Sequence, residues 1–252
     1  MVKLEWDIVS KSLVAMLLAS FTLWSCNKEN APDIIKAAGP VVKVQREVST
    51  FSELALYDNI DYELIDTNFC ALEIEAPKNL IPKITSNVDG QVLTIENTNT
   101  CNFVRSYQNR IIVRVYFNSL HYIENHCTGS VITTSPLFAP VFTIDNKHSN
   151  GQVNLQIEGD SVTCNSPTGA AEVWLSGHTR KVLLYSNSYG IIHANTMHAQ
   201  QAYINNSSLQ PIYASATDYV FALIEYSGNI ELTGTPSDYD YVRIGEGILI
   251  IH

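Results

Sequence analysis

Seven side chains of this sequence fall in one register: Ile123, Ile144, Cys164, Leu184, Ile204, Ile224 and Ile244, with a first step one position longer than the five equal steps that follow. A fixed interval of about 20 residues marks a solenoid, whose single unit cannot bury an apolar face alone and does so by stacking on its neighbour. Two positions ahead runs a second row of His121, Phe142, Val162, Val182, Ala202, Ala222 and Val242. A spacing of two puts both rows on one face of a strand. Polar residues follow at Asn125, Asn146, Asn165, Ser186 and Asn205. Such types favour corners, and stacked Asn side chains can bond from coil to coil. A second strand is expected in each unit, at Val131, Val153–Leu155, Val173–Leu175, Ile192–Ala194, Ile212–Ala214, Ile230–Leu232 and Ile248–Ile250. Gly129, Gly151, Gly190 and Gly228 precede it by two positions, where a sharp turn with positive φ is expected. An antiparallel sandwich of evenly spaced strands would not hold the interval so many times running. The expected fold is therefore all-β: a right-handed parallel β-solenoid with coils of about 20 residues stacked ~4.8 Å apart.

Residues 41–120 are also β-rich but less regular. Ile111, Val113, Val115 and Phe117 alternate with Ile112, Arg114 and Tyr116, the period of a half-buried strand. Leu54, Ile74, Ile95 and Val115 recur at nearly the same interval as the later register, with Leu64 and Ile84 midway. Coils beginning near Phe51 would produce these marks, and so would a meander of hairpins. The domain expected is thus 41–252, regular from 120 onward.

Residues 1–40 read differently. Leu13 to Leu23 is an apolar run of eleven, too short to span a bilayer and suited to a signal-peptide core. It ends in Leu23-Trp24-Ser25-Cys26, which resembles the lipobox of bacterial lipoproteins. That resemblance implies a signal peptide over 1–25, acylation of Cys26 and attachment to the membrane by two lipid chains, the number that holds firmly. An unacylated secretory signal is the alternative. Residues 26–40 have no periodicity and contain Pro32, Gly39 and Pro40, as expected of a flexible tether. The expected location is extracytoplasmic, lipid-anchored to the outer membrane on its periplasmic face or at the cell surface.

Together these residues resemble the head GIN domain family, described as auto-transporter adhesins and common as lipoproteins in Bacteroidetes-type bacteria. The resemblance runs from about Val42 to the C-terminus. It is carried by Cys101-Asn102-Phe103-Val104-Arg105-Ser106, by Gly228-Asn229-Ile230 with Gly234-Thr235-Pro236, by Gly245-Glu246-Gly247 and by the Phe51-to-Leu64 stretch. It implies a single-stranded right-handed β-helix. Members with Gly-Ser-Gly in several coils differ from this chain, which has His126-Cys127-Thr128-Gly129 and Ser149-Asn150-Gly151 in such places. The family's name would also call for a translocating barrel, for which 252 residues leave no room.

Candidates for chemistry are few. The formal charge is −10, with no basic run, so an electrostatic contact with nucleic acid is not expected. No motif for a cofactor, phosphate or metal appears, and His121/His126 and His193/His198 have no Cys or carboxylate at metal-ligand spacing. Cys70 and Cys101, both at strand edges, are candidates for a disulfide. Cys164 falls in an inward row and Cys127 in a turn, too far apart along the axis to be bridged. The acid pairs Glu124 with Asp145 and Asp238 with Asp240 are candidates for glycosidase carboxylates; the row after Asp145 continues with Asn165, Tyr185 and Asn205, so the first pair reads as solvated corner residues. Between the inward rows runs an outward stripe of Tyr122, Thr143, Thr163, Leu183, Tyr203, Leu223 and Arg243, with Phe221, Tyr226 and Tyr241 nearby. This stripe is a candidate contact surface for a glycan or protein, with an ordinary β-sheet surface as the alternative. The function expected is a non-enzymatic adhesive or structural module of the cell envelope. A carbohydrate-binding or carbohydrate-processing β-helix is the runner-up; it calls for exposed Tyr or Trp174 flanking a groove. A self-assembling scaffold, pairing through open ends or the stripe, comes third.

Overall fold

The computed structural model describes residues 38–99 and 110–252. Cys26, Cys101, the lipobox and most of the tether lie outside the described residues. In chain order the strands are β1 (Val41–Glu47), β2 (Glu53–Asp58), β3 (Asp61–Asp66), β4 (Ala71–Pro77), β5 (Ile84–Asp89), β6 (Val92–Asn97), β7 (Ile112–Phe117), β8 (Tyr122–Cys127), β9 (Val131–Thr133), β10 (Leu137–Phe138), β11 (Val141–Asn146), β12 (Gln152–Ser166), β13 (Glu172–Ser186), β14 (Ile192–Asn206), β15 (Ile212–Ile224), β16 (Ile230–Thr233), β17 (Asp238–Arg243) and β18 (Leu249–Ile251). One 3₁₀ turn, Ile81–Lys83, interrupts them. They form a β-solenoid of about six turns with roughly 20-residue spacing.

Two walls enclose the core. The first stacks β6, β2, β8, β11, the later halves of β12, β13, β14 and β15, and then β17, all in parallel. The second stacks β7, β3, β9, the leading halves of β12 to β15, β16 and β18. Antiparallel strands finish the N-terminal end: β5 on β6, and β4 on β7 with β1 outside it. Ile123, Ile144, Cys164, Leu184 and Ile204 do form one inward row, each 0–2% exposed.

Two positions further on lies a polar row inside the core. Asn125, Asn146, Ser166, Ser186 and Asn206 are buried to 1% or less. Asn125 Nδ2 donates to Asn146 Oδ1 at 2.9 Å, and Asn146 Nδ2 to Ser166 Oγ at 3.2 Å. Buried amides are tolerable here because each coil satisfies the next. Asn165 and Asn205, expected in this row, are one position out of phase with it; Asn165 instead donates to Asp145 on the outside.

The glycine expectation needs a different cause. Gly129, Gly151, Gly190 and Gly228 are absent from the positive-φ residues. A Cβ on each would run into a backbone carbonyl of the coil below: Ile60, Gly129, Ala171 and Gln210 respectively. They are glycines because stacked corners touch, and a turn conformation has no part in it.

The register departs from the even interval at the C-terminal end. Ile204 is level with Ala222 and Ala222 with Tyr241, so the last two steps are shorter than those before them. The corner between the two halves of β15 is shorter than its predecessors, with register shifts around Ala199. Ile224 is therefore level with Asn206, and Ile244, expected inside, is 70% exposed. In the last unit Leu249, not Ile248, is level with Ile230. At the other end His121 is exposed rather than inward, and Cys127 ends β8 with its side chain buried rather than lying in a turn.

The early spacing of Leu54, Ile74, Ile95 and Val115 is not a row of successive coils. All four are fully buried, but they lie on β2, β4, β6 and β7, and β2 sits between β6 and β8. The chain lays down β2 and β3, doubles back to build β4 to β7 on their N-terminal side, then crosses to continue at β8 on the other. Ser52 marks the crossing: its N–H donates to Gln91 O and its carbonyl accepts from His121 N, both at 3.0 Å.

Candidate functional site

Outward residues of the first wall are level with one another from coil to coil. Tyr122, Thr143, Thr163, Leu183, Tyr203, Phe221 and Asp240 form one such row, which six steps of ~4.8 Å make about 29 Å long. Of the residues singled out from sequence, Tyr122, Tyr203 and Phe221 come together here. The shortened corner puts Phe221 in the place expected for Leu223, which moves to the neighbouring row beside Asn205. Tyr226 lies beyond β15 in a corner, and Tyr241 takes the inward register of the last coil, so neither belongs to the stripe.

The two ends of the row differ in chemistry. At its start, Glu53, His121, Tyr122, Pro140, Val141 and Thr143 border an open hollow of about 510 Å³. Tyr122 donates its hydroxyl to Asp145 Oδ2 at 2.7 Å, and burial followed by this bond pushes its pKa upward. Beside it, Glu124 takes Lys147 Nζ at 3.0 Å and lies 2.6 Å from His126 Nε2. The His126 contact, then Lys147, hold the Glu124 carboxyl below its usual range. At the far end, Tyr203 is 36% exposed, with Lys181 Nζ 5.9 Å from its ring centre and the Tyr219 ring tilted against it at 5.8 Å. Tyr219 donates to Asp240 at 2.6 Å, and this bond first of all pushes its phenol up to about 12. Tyr219 escaped the sequence reading because the shortened corner hid that it flanks Tyr203.

These geometries bear on catalysis. A glycosidase acid must hold a proton at neutral pH, which takes a raised pKa. Glu124 is held the other way, with Oε2 taken by the Lys147 ammonium and Oε1 by the His126 ring. Asp240 is engaged by Tyr219, and Asp238 by the N–H of Tyr239 at 2.9 Å. Among the described residues no three His, Cys, Asp or Glu side chains come together to hold a metal.

On the second wall, Trp174, His193 and Tyr213 stack ring on ring at 5.1 and 5.3 Å, with interplanar angles of 8° and 2°. His193 also lies 3.2 Å from Glu172. Rings stacked along the solenoid axis cover each other's faces, the surfaces a sugar would need. Near Ile111, a polar cleft of about 510 Å³ is lined by Asn59, Asp61, Arg110, Thr128 and Ser130 among others. Burial raises the Asp61 pKa, but the Ser130 N–H and hydroxyl and Arg110 outweigh it and hold the carboxyl below its usual value.

A family model described as "Putative auto-transporter adhesin, head GIN domain" matches residues 50–236. The chain belongs to this family. The family's description as adhesin-like points to an extracellular or envelope-associated protein. Solved structures with the same fold include "a putative adhesin" from Bacteroides fragilis NCTC 9343, 19% identical over 84% of this chain and 97% of that one, with a TM-score of 0.79. A second "putative adhesin", from Parabacteroides merdae ATCC 43184, is 17% identical over 86% and 98%, with a TM-score of 0.65. A "putative lipid binding protein" from Parabacteroides distasonis ATCC 8503 is 18% identical over 85% and 97%, with a TM-score of 0.64. No curated protein matches the chain. Identities this low carry the fold and leave the ligand open.

Cys127 and Cys164 of the head GIN chain are not activated nucleophiles. Burial pushes the thiols of Cys127 and Cys164 up to about 12, away from the reactive thiolate. Both are free, and Cys164 occupies the inward row as expected. Cys70 Sγ lies 3.5 Å from Asn118 Oδ1, while its candidate partner Cys101 lies outside the described residues. No helix among the described residues is long and apolar enough to cross a membrane.

Proposed function

We propose that this chain is a non-enzymatic binding module of the cell envelope, acylated at Cys26, whose contact surface is the outer row from Tyr122 to Phe221. The observation that carries the reading is the alignment of Tyr122, Tyr203 and Phe221 on one flat, stacked wall. Such a wall needs no reorganisation on binding, and Tyr and Phe give large contact area at low cost in side-chain freedom. Lys181, Gln201 and Asn205 flank the aromatic end and offer hydrogen bonds to a protein or glycan partner. Of these two partners, protein is the better supported. In the Trp174 ladder the rings cover one another's facing sides, and Tyr203 and Phe221 lie on the wall away from the hollow beside Tyr122.

The test compares the full chain with a Tyr203→Ser/Phe221→Ser variant for binding to a glycan array and to immobilised cell-surface protein. Loss of protein capture by at least ~10-fold in the variant is expected, on the scale of a truncated aromatic anchor. Equal binding by both chains, or retention on the glycan array alone, would sink the reading. Protease accessibility in intact cells, with Cys26→Ala alongside, tests the anchor: wild type should fractionate with membranes and the variant should not.

A further inference from the structure

The two ends of the solenoid are finished differently. At the N-terminal end antiparallel pairs close both walls, and Val42, Val44 and Val88 of the outermost strands pack against the core. Arg46 adds hydrogen bonds to the carbonyls of Ile84 and Ile81 at 2.6 and 3.0 Å. At the C-terminal end β17 pairs with β15 and β18 with β16, and among the described residues no strand lies on their far side. Tyr239, Tyr241 and Ile251 are level with Val220, Ala222 and Leu232, all buried to 1% or less. They are themselves 51%, 38% and 40% exposed. Among the described residues, three side chains thus hold core positions with no coil above them.

We propose that this open end binds the open end of a second copy of the chain, across a two-fold axis. The inference is independent of the stripe on the first wall. An occupant must supply two strand edges at the spacing of the two walls and apolar groups facing Tyr239, Tyr241 and Ile251. A second copy of the same end supplies both, and a two-fold makes them self-complementary. The opposite end does not fit: β1 exposes Lys43 and Glu47 along its edge, and its valines already pack inward. The tether that the proposed processing at Cys26 would leave does not reach. Ala38 lies beside Asn79 at the closed end, and ten strand spacings, ~48 Å, separate β1 from β18 along the second wall. Residues 26–37 of a chain beginning at Cys26 extend to at most ~43 Å. Tyr239, Tyr241 and Ile251 supply the apolar part of the contact, and the outer edges of β17 and β18 supply the main-chain part. Pairing end to end closes after two copies and leaves the outer walls free.

The test is light scattering and sedimentation across a concentration series. It uses the full chain carrying Cys26→Ala, so that acyl chains cannot drive association. A monomer–dimer equilibrium that stops at two is expected. Tyr241→Lys and Ile251→Lys should each weaken it at least ~30-fold, the scale of a buried anchor replaced by a charge. Circular dichroism should show both variants folded, because each residue lies on a terminal strand and is already about two-fifths exposed. Tyr203→Ser should leave the dimer unchanged, which separates this surface from the stripe. A monomer at the highest soluble concentration, growth beyond two copies, or a dimer indifferent to both lysines would overturn the proposal.

Discussion

The coils from β8 to β16 and the segment from β1 to β7 bury equally apolar cores, yet they hold their strands in place by different means. In the coils each residue sits on its equivalent one turn below, so stability is a sum of neighbour contacts. Close-touching glycine corners and the Asn125–Asn146–Ser166 ladder set the register. The N-terminal segment has no translation to repeat. Its register is set by charge across a parallel neighbour, β3, and antiparallel ones, β4 and β1: Arg114 reaches Glu63, Glu73 and Glu75 at 2.7, 2.7 and 2.8 Å, and Lys43 adds contacts of 3.3 Å to the last two. A repeated backbone can rely on the absence of side chains, whereas a unique one needs specific partners.

The largest effect should follow from closing a corner. Gly151→Val places a side chain where the Gly129 carbonyl already sits, so the coils must separate; a loss of about 4 kcal/mol or more in denaturant unfolding is expected. Next comes Asn146→Ala, which leaves the Asn125 amide buried without its acceptor and should cost about 2–3 kcal/mol. Arg114→Met should be milder at neutral pH, about 1–2 kcal/mol, because the network is partly solvated. Its pH dependence is the sharper measurement. In Glu75 the hydrogen bond from Arg114, then that from Lys43, holds the pKa below the usual 4.5; in Glu73 burial opposes and the same two cations prevail. Carboxyls depressed in the folded state contribute stability above about pH 4.5 and lose it as pH falls through their folded values. Wild type should therefore lose more stability than Arg114→Met on acidification below pH 4.5. Equal acid sensitivity would break the contrast between the two regions, as would an Arg114→Met cost matching that of Gly151→Val.

Much of this was legible in the residues themselves. Ile123 through Ile204 announced the coils, the alternation at Ile111–Phe117 announced β7, and Tyr122 and Tyr203 fell on the outside as expected. The misplacement of Ile224 has a plain cause. A slip of two positions leaves the inside and outside of a strand unchanged, so Ala222 and Ile224 serve the repeating pattern equally well. The next slip is of one position, which reverses the faces, and it put Val242 and Ile244 outside. Phe221 and Tyr219 joined the stripe through the same shortened corner, and spacing alone carries no sign of it.

Amino-acid order determined the class of this protein: apolar residues recurring at a fixed long interval can be buried only by stacking. Which coil lies on which was decided elsewhere. Leu54, Ile74, Ile95 and Val115 are equally apolar and almost equally spaced, and any of them could follow any other. Their order came from the pairing of β2 between β6 and β8, contacts between residues far apart in the chain. Periodicity reports how often a face must be covered, and only the folded chain shows what covers it.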